Sequence, residues 1–211
     1  MTTDINSDGL LAVYEALQAS PEGNIAVKLS TGEPGSNYLR TDLIGDLVQS
    51  FDDPTIVECN TAYGGSRANT AMHYQVAEDH GYTEIANVDI MDEDGSMTLP
   101  VTGGTNLEEN YGGSHFENYD YYVVLSHFKG HSMAGYGGAI KNISIGIASS
   151  KGKPIFTAAV PAAVCGAEIR THFWSLWRRT APLWWSESSP GTVCTHWNMR
   201  RISVLAAEPM N

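Results

Sequence analysis

Residues 121–142 read YYVVLSHFKGHSMAGYGGAIKN. The first five, Tyr121 to Leu125, form an unbroken apolar, β-prone run of the kind buried on both faces of a parallel sheet. The character then changes at once. The next seventeen residues hold two histidines (His127, His131), two lysines (Lys129, Lys141) and four glycines (Gly130, Gly135, Gly137, Gly138). Open α/β sheets bind ligands just beyond the carboxyl ends of their strands. The stretch therefore predicts a buried strand that runs into a ligand loop.

Working outward, the same alternation recurs. Residues 24–30 (NIAVKLS) read as a strand followed by the Gly/Pro loop TGEPGSNY. Thr41 is then placed to cap a helix over 42–51, whose Leu43, Ile44, Leu47 and Val48 share one face. Residues 54–60 make a second strand, followed by the loop TAYGGSRANT and a helix over 71–80 stopped by Gly81. A third strand covers 85–90, and 96–101 is a β excursion before the flexible TGGTNLEENYGG. An amphipathic helix over 7–18, capped by Ser7 or Asp8, precedes them all. Residues 138–147 are apolar and glycine-flanked, either helix or buried strand. Strand alternating with helix predicts an α/β fold with an open, mostly parallel sheet and flanking helices.

The 211 residues carry a formal net charge of −12. That balance argues against nonspecific nucleic-acid binding, which needs clustered cations to displace counterions. No run of about eighteen apolar residues indicates a membrane span, and the polar, acidic MTTDINSDG is unlike a targeting peptide. Three unevenly spaced cysteines (Cys59, Cys165, Cys194) form no disulfide framework and no CxxC motif, which points to a reduced, cytoplasmic protein.

The charge is divided by a seam. Residues 1–153 hold 21 acidic and 7 basic residues, whereas 154–211 hold 3 and 5, with all five tryptophans (Trp174, Trp177, Trp184, Trp185, Trp197) in that tail. The tail has neither a 3.6 nor a 2 period. Read one base out of frame, codon degeneracy from Pro154 permits a string containing IHSGGTSSGMWGGDQNPFLESMAENG, turn-rich first and helix-like after. The alternative is a genuine Trp/Arg-rich interaction segment. The expectation is a domain portion over 1–153 and an irregular, out-of-frame tail over 154–211, leaving the sheet incomplete. A one-base change in genomic DNA across codons 145–211 would bear this out; DNA confirming the present frame would remove it.

Parallel topology brings three strand-following loops to one sheet edge. Together they supply Lys28, Asn37, Arg40, Asn60, Arg67, Gly137, Gly138, Lys141 and Asn142 as ligand-binding candidates. With Lys129 added, the five loop cations (Lys28, Arg40, Arg67, Lys129, Lys141) around glycine-rich backbone would favour a small anion; scattered surface ion pairs are the plain alternative. His127, Lys129 and His131 are the catalytic candidates, because a lysine can tune a neighbouring imidazole near neutral pH. Spaced four apart, His127 and His131 could share a metal on a helix, with His115, Cys59 or Asp120 as third ligand. Hydrogen-bonding histidines are commoner, and no metal is expected. Cys59 reads as a small core residue sooner than a nucleophile. Neither GxGxxG nor GxxxxGK[ST] is present, so GYGG is a weak phosphate signal.

Three pieces, VKLSTGEPGSNYLR (27–40), NTAYGGSRANT (60–70) and LSHFKGHSMAGYGGAIKNISIGIAS (125–149), resemble the domain-of-unknown-function 362 family. The resemblance covers about residues 24–153, and RISV (201–204) resembles family sequence further on. It implies an uncharacterised protein whose complete members are associated with an iron–sulfur cluster and redox chemistry. This chain carries no cluster motif. The resemblance leaves open an enzyme, a non-catalytic electron-transfer scaffold, or a fragment without function.

Overall fold

The computed structural model describes residues 3–101, 107–131, 135–159, 194–196 and 201–207. The chain runs α1 (Ser7–Ala16), β1 (Ile25–Lys28), α2 (Thr41–Gln49), β2 (Thr55–Glu58), α3 (Thr70–Asp79), β3 (Asn87–Ile90), β4 (Ser96–Pro100) and β5 (Glu109–Gly113). It continues through β6 (Tyr121–His127), β7 (Lys129–His131), β8 (Gly135–Gly137), α4 (Ala139–Ser144), α5 (Gly152–Ala159), β9 (Cys194–His196) and β10 (Arg201–Ala207). One sheet has the order β3-β2-β1-β6-β10-β9, with every neighbouring pair parallel except β10 and β9. Two antiparallel pairs, β4-β5 and β7-β8, stand apart from it. The expected α/β architecture with a mostly parallel sheet is present.

The apolar runs of β1 and β6 are explained by cover on both faces. Val27, Leu29, Ile56, Val123 and Leu125 pack with Ile44, Leu47 and Val48 of α2 and Tyr14 of α1. Alternate residues Ala26, Val57, Tyr122 and Val124 pack on the other face with Cys59, Met91 and Ile147. Each large side chain so buried contributes about 1.5–3 kcal/mol. No described helix is long and apolar enough to cross a membrane.

The helix starts differ from expectation. The cap of α1 is Asn6, whose side chain accepts from the Gly9 amide at 2.8 Å, so Ser7 and Asp8 fall inside the helix. Thr41 likewise lies inside α2, and Arg40 at the cap makes no capping side-chain bond, having no acceptor to offer. Asn69 caps α3 through the Met72 amide. Gly81, at φ +78°, ends the segment in a left-handed conformation that suits glycine.

β6 runs two residues beyond its apolar core, and the glycine-rich stretch beyond it folds back as the β7-β8 hairpin. The 138–147 segment resolves as helix α4. In the tail, where periodicity announces no strand, β10 pairs with β6 from Arg201↔Tyr121 to Ala207↔His127. Residues 160–193 lie outside the described residues.

Candidate functional site

Side chains alternate along a strand, so neighbouring residues at a strand end serve opposite faces of the sheet. At the carboxyl edge this separates Lys28, on the face of Ala26, from Glu58, on the face of Ile56. Both are buried.

Glu58 sits beneath α3 and accepts from four groups. The Thr31 amide and hydroxyl each lie 2.7 Å from Oε2, and His73 Nε2 lies 3.3 Å from the same oxygen. Arg67 Nη1 donates to Oε1 at 3.1 Å. Arg67 also ties the first two loops together, through Glu33 at 3.0 Å, Ser30 at 3.2 Å and the Tyr63 hydroxyl at 3.4 Å. His73 comes from the buried face of α3 with Val76 and Ala77, and its Nδ1 faces Asn60 Oδ1 at 3.3 Å. Burial alone would push Glu58 up. The Lys28 ammonium, the His73 hydrogen bond and Arg67 outweigh that and hold the carboxyl well below its usual range.

On the other face, Lys28 Nζ donates to Leu29 O at 2.5 Å and to Asn142 Oδ1 at 2.8 Å. Asn142 in turn donates to Leu125 O at 3.0 Å and Ser126 Oγ at 3.1 Å, closing the β1-β6 end. A Cβ on Gly146 would collide with the Asn142 carbonyl oxygen and lie 2.8 Å from Lys28 Nζ, so the close approach requires glycine there. Nearby, Lys153 Nζ donates to Asn60 O at 2.6 Å, Ala148 O at 2.7 Å and Cys59 O at 3.3 Å. Asp92 receives the Asn60 and Ser150 amides, both at 2.8 Å. Desolvation lowers Lys28 from 10.5 to about 8 despite the attraction of Glu58, and lowers Lys153 for the same reason.

The expected loop cations divide. Lys28 and Asn142 touch, and Asn60 and Arg67 join through His73 and Glu58. His127 is half-buried and hydrogen-bonds the Asn37 backbone; desolvation and the neighbouring Lys129 lower its pKa. Lys129 itself is exposed on β7, paired with Gly137, and Gly138 precedes α4, which carries Lys141. Arg40 turns away to an exposed bidentate pair with Asp42 and is not brought into this set. His131 lies in β7, but its side chain is outside the described residues.

An iron–sulfur cluster finds no fitting donor set among the described side chains. Burial pushes the Cys59 thiol up to about 12, and it donates to Ile147 O at 3.3 Å, whereas a cluster needs thiolates. Asp89, Glu93 and His115 bring one atom each within 4.8 Å of one another. Both His115 nitrogens also face carboxylates, at 2.9 Å to Asp89 and 3.0 Å to Asp94, and while both carry protons the ring has no lone pair to offer a cation. Asp120, another candidate third ligand, accepts the Asn24 amide.

Sequence reasoning missed Glu58, His73, Asp92 and Lys153. Glu58 ends an apolar run as Lys28 does, and His73, Val76 and Ala77 share an i, i+3, i+4 face; those were the available signals. Lys153 offered none, since its partners are backbone carbonyls.

These features define an open α/β protein with a buried, charged carboxyl edge. The sequence model described as "Domain of unknown function (DUF362)" matches residues 25–193, and the chain belongs to that family. The matched span crosses the seam at Lys153. No curated protein matches the chain. Among solved structures, a Thermotoga maritima protein from a structural genomics programme is similar at 15% identity and a TM-score of 0.49, over 82% of this chain and 47% of that one. The chain thus spans about half the length of that protein.

Proposed function

We propose that the carboxyl edge between β1 and β6 binds a small oxyanion, a phosphate or carboxylate. The observation that carries this reading is the sign of the buried charge. Among the described residues, Lys28, Arg67 and Lys153 face two comparably buried carboxylates, Glu58 and Asp92, in a chain of net charge −12. Lys28 is held on its own face by a neutral amide oxygen, that of Asn142. An anion arriving there replaces a neutral acceptor with a charged one and relieves the desolvation of the ammonium. His127 ends β6 and Lys129 opens β7 just after it, and the two would meet the solvent side of the ligand.

Calorimetry with inorganic phosphate and with acetate at neutral pH tests this. One-site binding is expected, weakened about tenfold or more in Lys28→Met and less in Lys129→Ala. No binding, or unchanged binding in both variants, would sink the reading.

A scaffold role, with no ligand of its own, is favoured by a different observation. Lys153 already has three carbonyl partners and Arg67 four side-chain partners. In that case neither anion binds, and the edge serves only to pin the loops.

A further inference from the structure

The Asp89–His115–Asp94 group lies at the end of β3. His115 belongs to the short 3₁₀ segment Ser114–Asn118 that follows β5. Its Nδ1 lies 2.9 Å from Asp89 Oδ1 and its Nε2 lies 3.0 Å from Asp94 Oδ2. An ionised carboxylate only accepts, and a neutral imidazole carries one proton, so both contacts exist together only in the doubly protonated ring. Asp89 Oδ2 also receives the Tyr119 hydroxyl at 2.7 Å, so one carboxylate holds both ends of the segment.

We propose that His115 is a proton-operated clasp: as imidazolium it ties the 3₁₀ segment to β3 and its turn, and on losing its proton it gives up one of the two ties. The surroundings favour the charged state. Asp89 comes from β3, Asp92, Glu93 and Asp94 from the turn after it, and Glu117 and Tyr119 from the segment's own end. From α3, the Tyr74 hydroxyl donates to Glu93 at 3.2 Å, and from β6 the Tyr122 hydroxyl donates to Phe116 O at 2.7 Å. β4, which packs on the segment, carries no titratable side chain. The cation facing this turn is Lys153, which acts on Asp92. The carboxylate hydrogen bonds raise the His115 pKa above 6.5 against its desolvation. The tie is therefore complete below 6.5 and lost as pH rises through the higher folded value.

The clasp matters beyond its own loop because the segment continues β5. The Gly113 amide donates to Ile147 O at 3.1 Å, and the Ser149 amide to Tyr111 O at 2.9 Å. Those residues flank Ala148, whose carbonyl holds Lys153. Loss of the proton should loosen residues 109–118 against that loop.

The test uses the full chain and no ligand, so its failure is separate from that of the anion reading. The His115 ring is titrated by NMR, with assignment by His115→Gln, while hydrogen exchange of residues 109–118 is followed over the same pH range after correction for intrinsic rates. The expected result is a midpoint above 6.5 with protection falling severalfold through it. Asp94 is the exposed partner, at 78%. Asp94→Asn therefore spares the fold and should shift the midpoint down and the protection change with it. A midpoint at or below 6.5, or one unmoved by Asp94→Asn, overturns the clasp; so does protection that ignores the titration.

Discussion

The two faces of the carboxyl edge are equally buried and end in opposite electrostatic states. Beneath α3, Glu58 is surrounded by donors, two of them basic side chains, and stays ionised to unusually low pH. Across the sheet, Lys28 and Lys153 are held by carbonyl and amide oxygens, and both give up their protons more readily than an exposed lysine. Hydrogen bonds are abundant on both faces. What differs is the charge of the partner. Neutral acceptors satisfy the geometry of an ammonium without compensating its desolvation, whereas a guanidinium beside a carboxylate does both. One face is therefore locked; on the reading proposed above, Lys28 on the other is the group that would meet an anion.

The largest test of this contrast is Glu58→Gln. It leaves Arg67 with Glu33 as its carboxylate partner among the described residues and removes a carboxylate whose charge raises Lys28. A loss of about 3–5 kcal/mol is expected by urea denaturation, as for other broken buried pairs. The pH dependence has a definite sign. Because the folded value lies below the ordinary 4.5, Glu58 contributes stability that is present above 4.5 and lost as pH falls through the folded value. The variant should lack that acid-side loss. A cost under about 1 kcal/mol would show that the network beneath α3 is not what locks this face.

Much of this fold was legible because parallel strands advertise themselves. IAVK, TIVE and YYVVL are near-continuous apolar runs, and each precedes a loop at the same edge. Lys28, Asn60, Arg67 and Asn142 were reachable from that topology alone. The partition between faces was not, because loop residues carry no period to say which way they turn. Arg40 illustrates this: two residues on, Asp42 captures it at the surface. Lys153 is the converse, a lysine whose partners are three main-chain carbonyls from two places in the chain and leave no trace in side-chain pattern. Strand β10 was hidden because a stretch as short as RISVLAA, without turn signals beside it, is ambiguous by periodicity. The proposal that residues 154–211 are read out of frame rests on codon arithmetic and resemblance, which the sheet position of β10 does not address.

The locked and unlocked faces also part on the alkaline side. Between about 8 and 10.5 the unfolded chain keeps a proton on Lys28 that the folded chain has released, so stability rises with pH through that window. The contribution is about 3 kcal/mol at most. Cys59 opposes it: with its thiol pushed from 9 to about 12, the unfolded chain ionises first and stability falls above 9. Only the difference between the wild type and Lys28→Met isolates the lysine. That difference should grow in favour of the wild type from pH 8 to 10.5. A flat difference would mean that Lys28 is not desolvated in solution and that the two faces are alike.

The smallest effect sharpens the boundary between the edge and the hairpin beyond it. Lys129 is exposed and paired through its backbone with Gly137, so Lys129→Ala should change stability by less than about 0.5 kcal/mol. Its ammonium nevertheless bears on His127, adding to the desolvation that lowers the imidazole, while the Asn37 carbonyl pulls the other way. Removing the charge should therefore raise the His127 midpoint, though not fully to 6.5, because the burial remains. An NMR titration reads this directly. If His127 does not move while anion binding still weakens, Lys129 meets the ligand without tuning the histidine. If stability falls instead by more than about 1 kcal/mol, the hairpin is part of the locked structure, and the division into a fixed edge and a free approach fails.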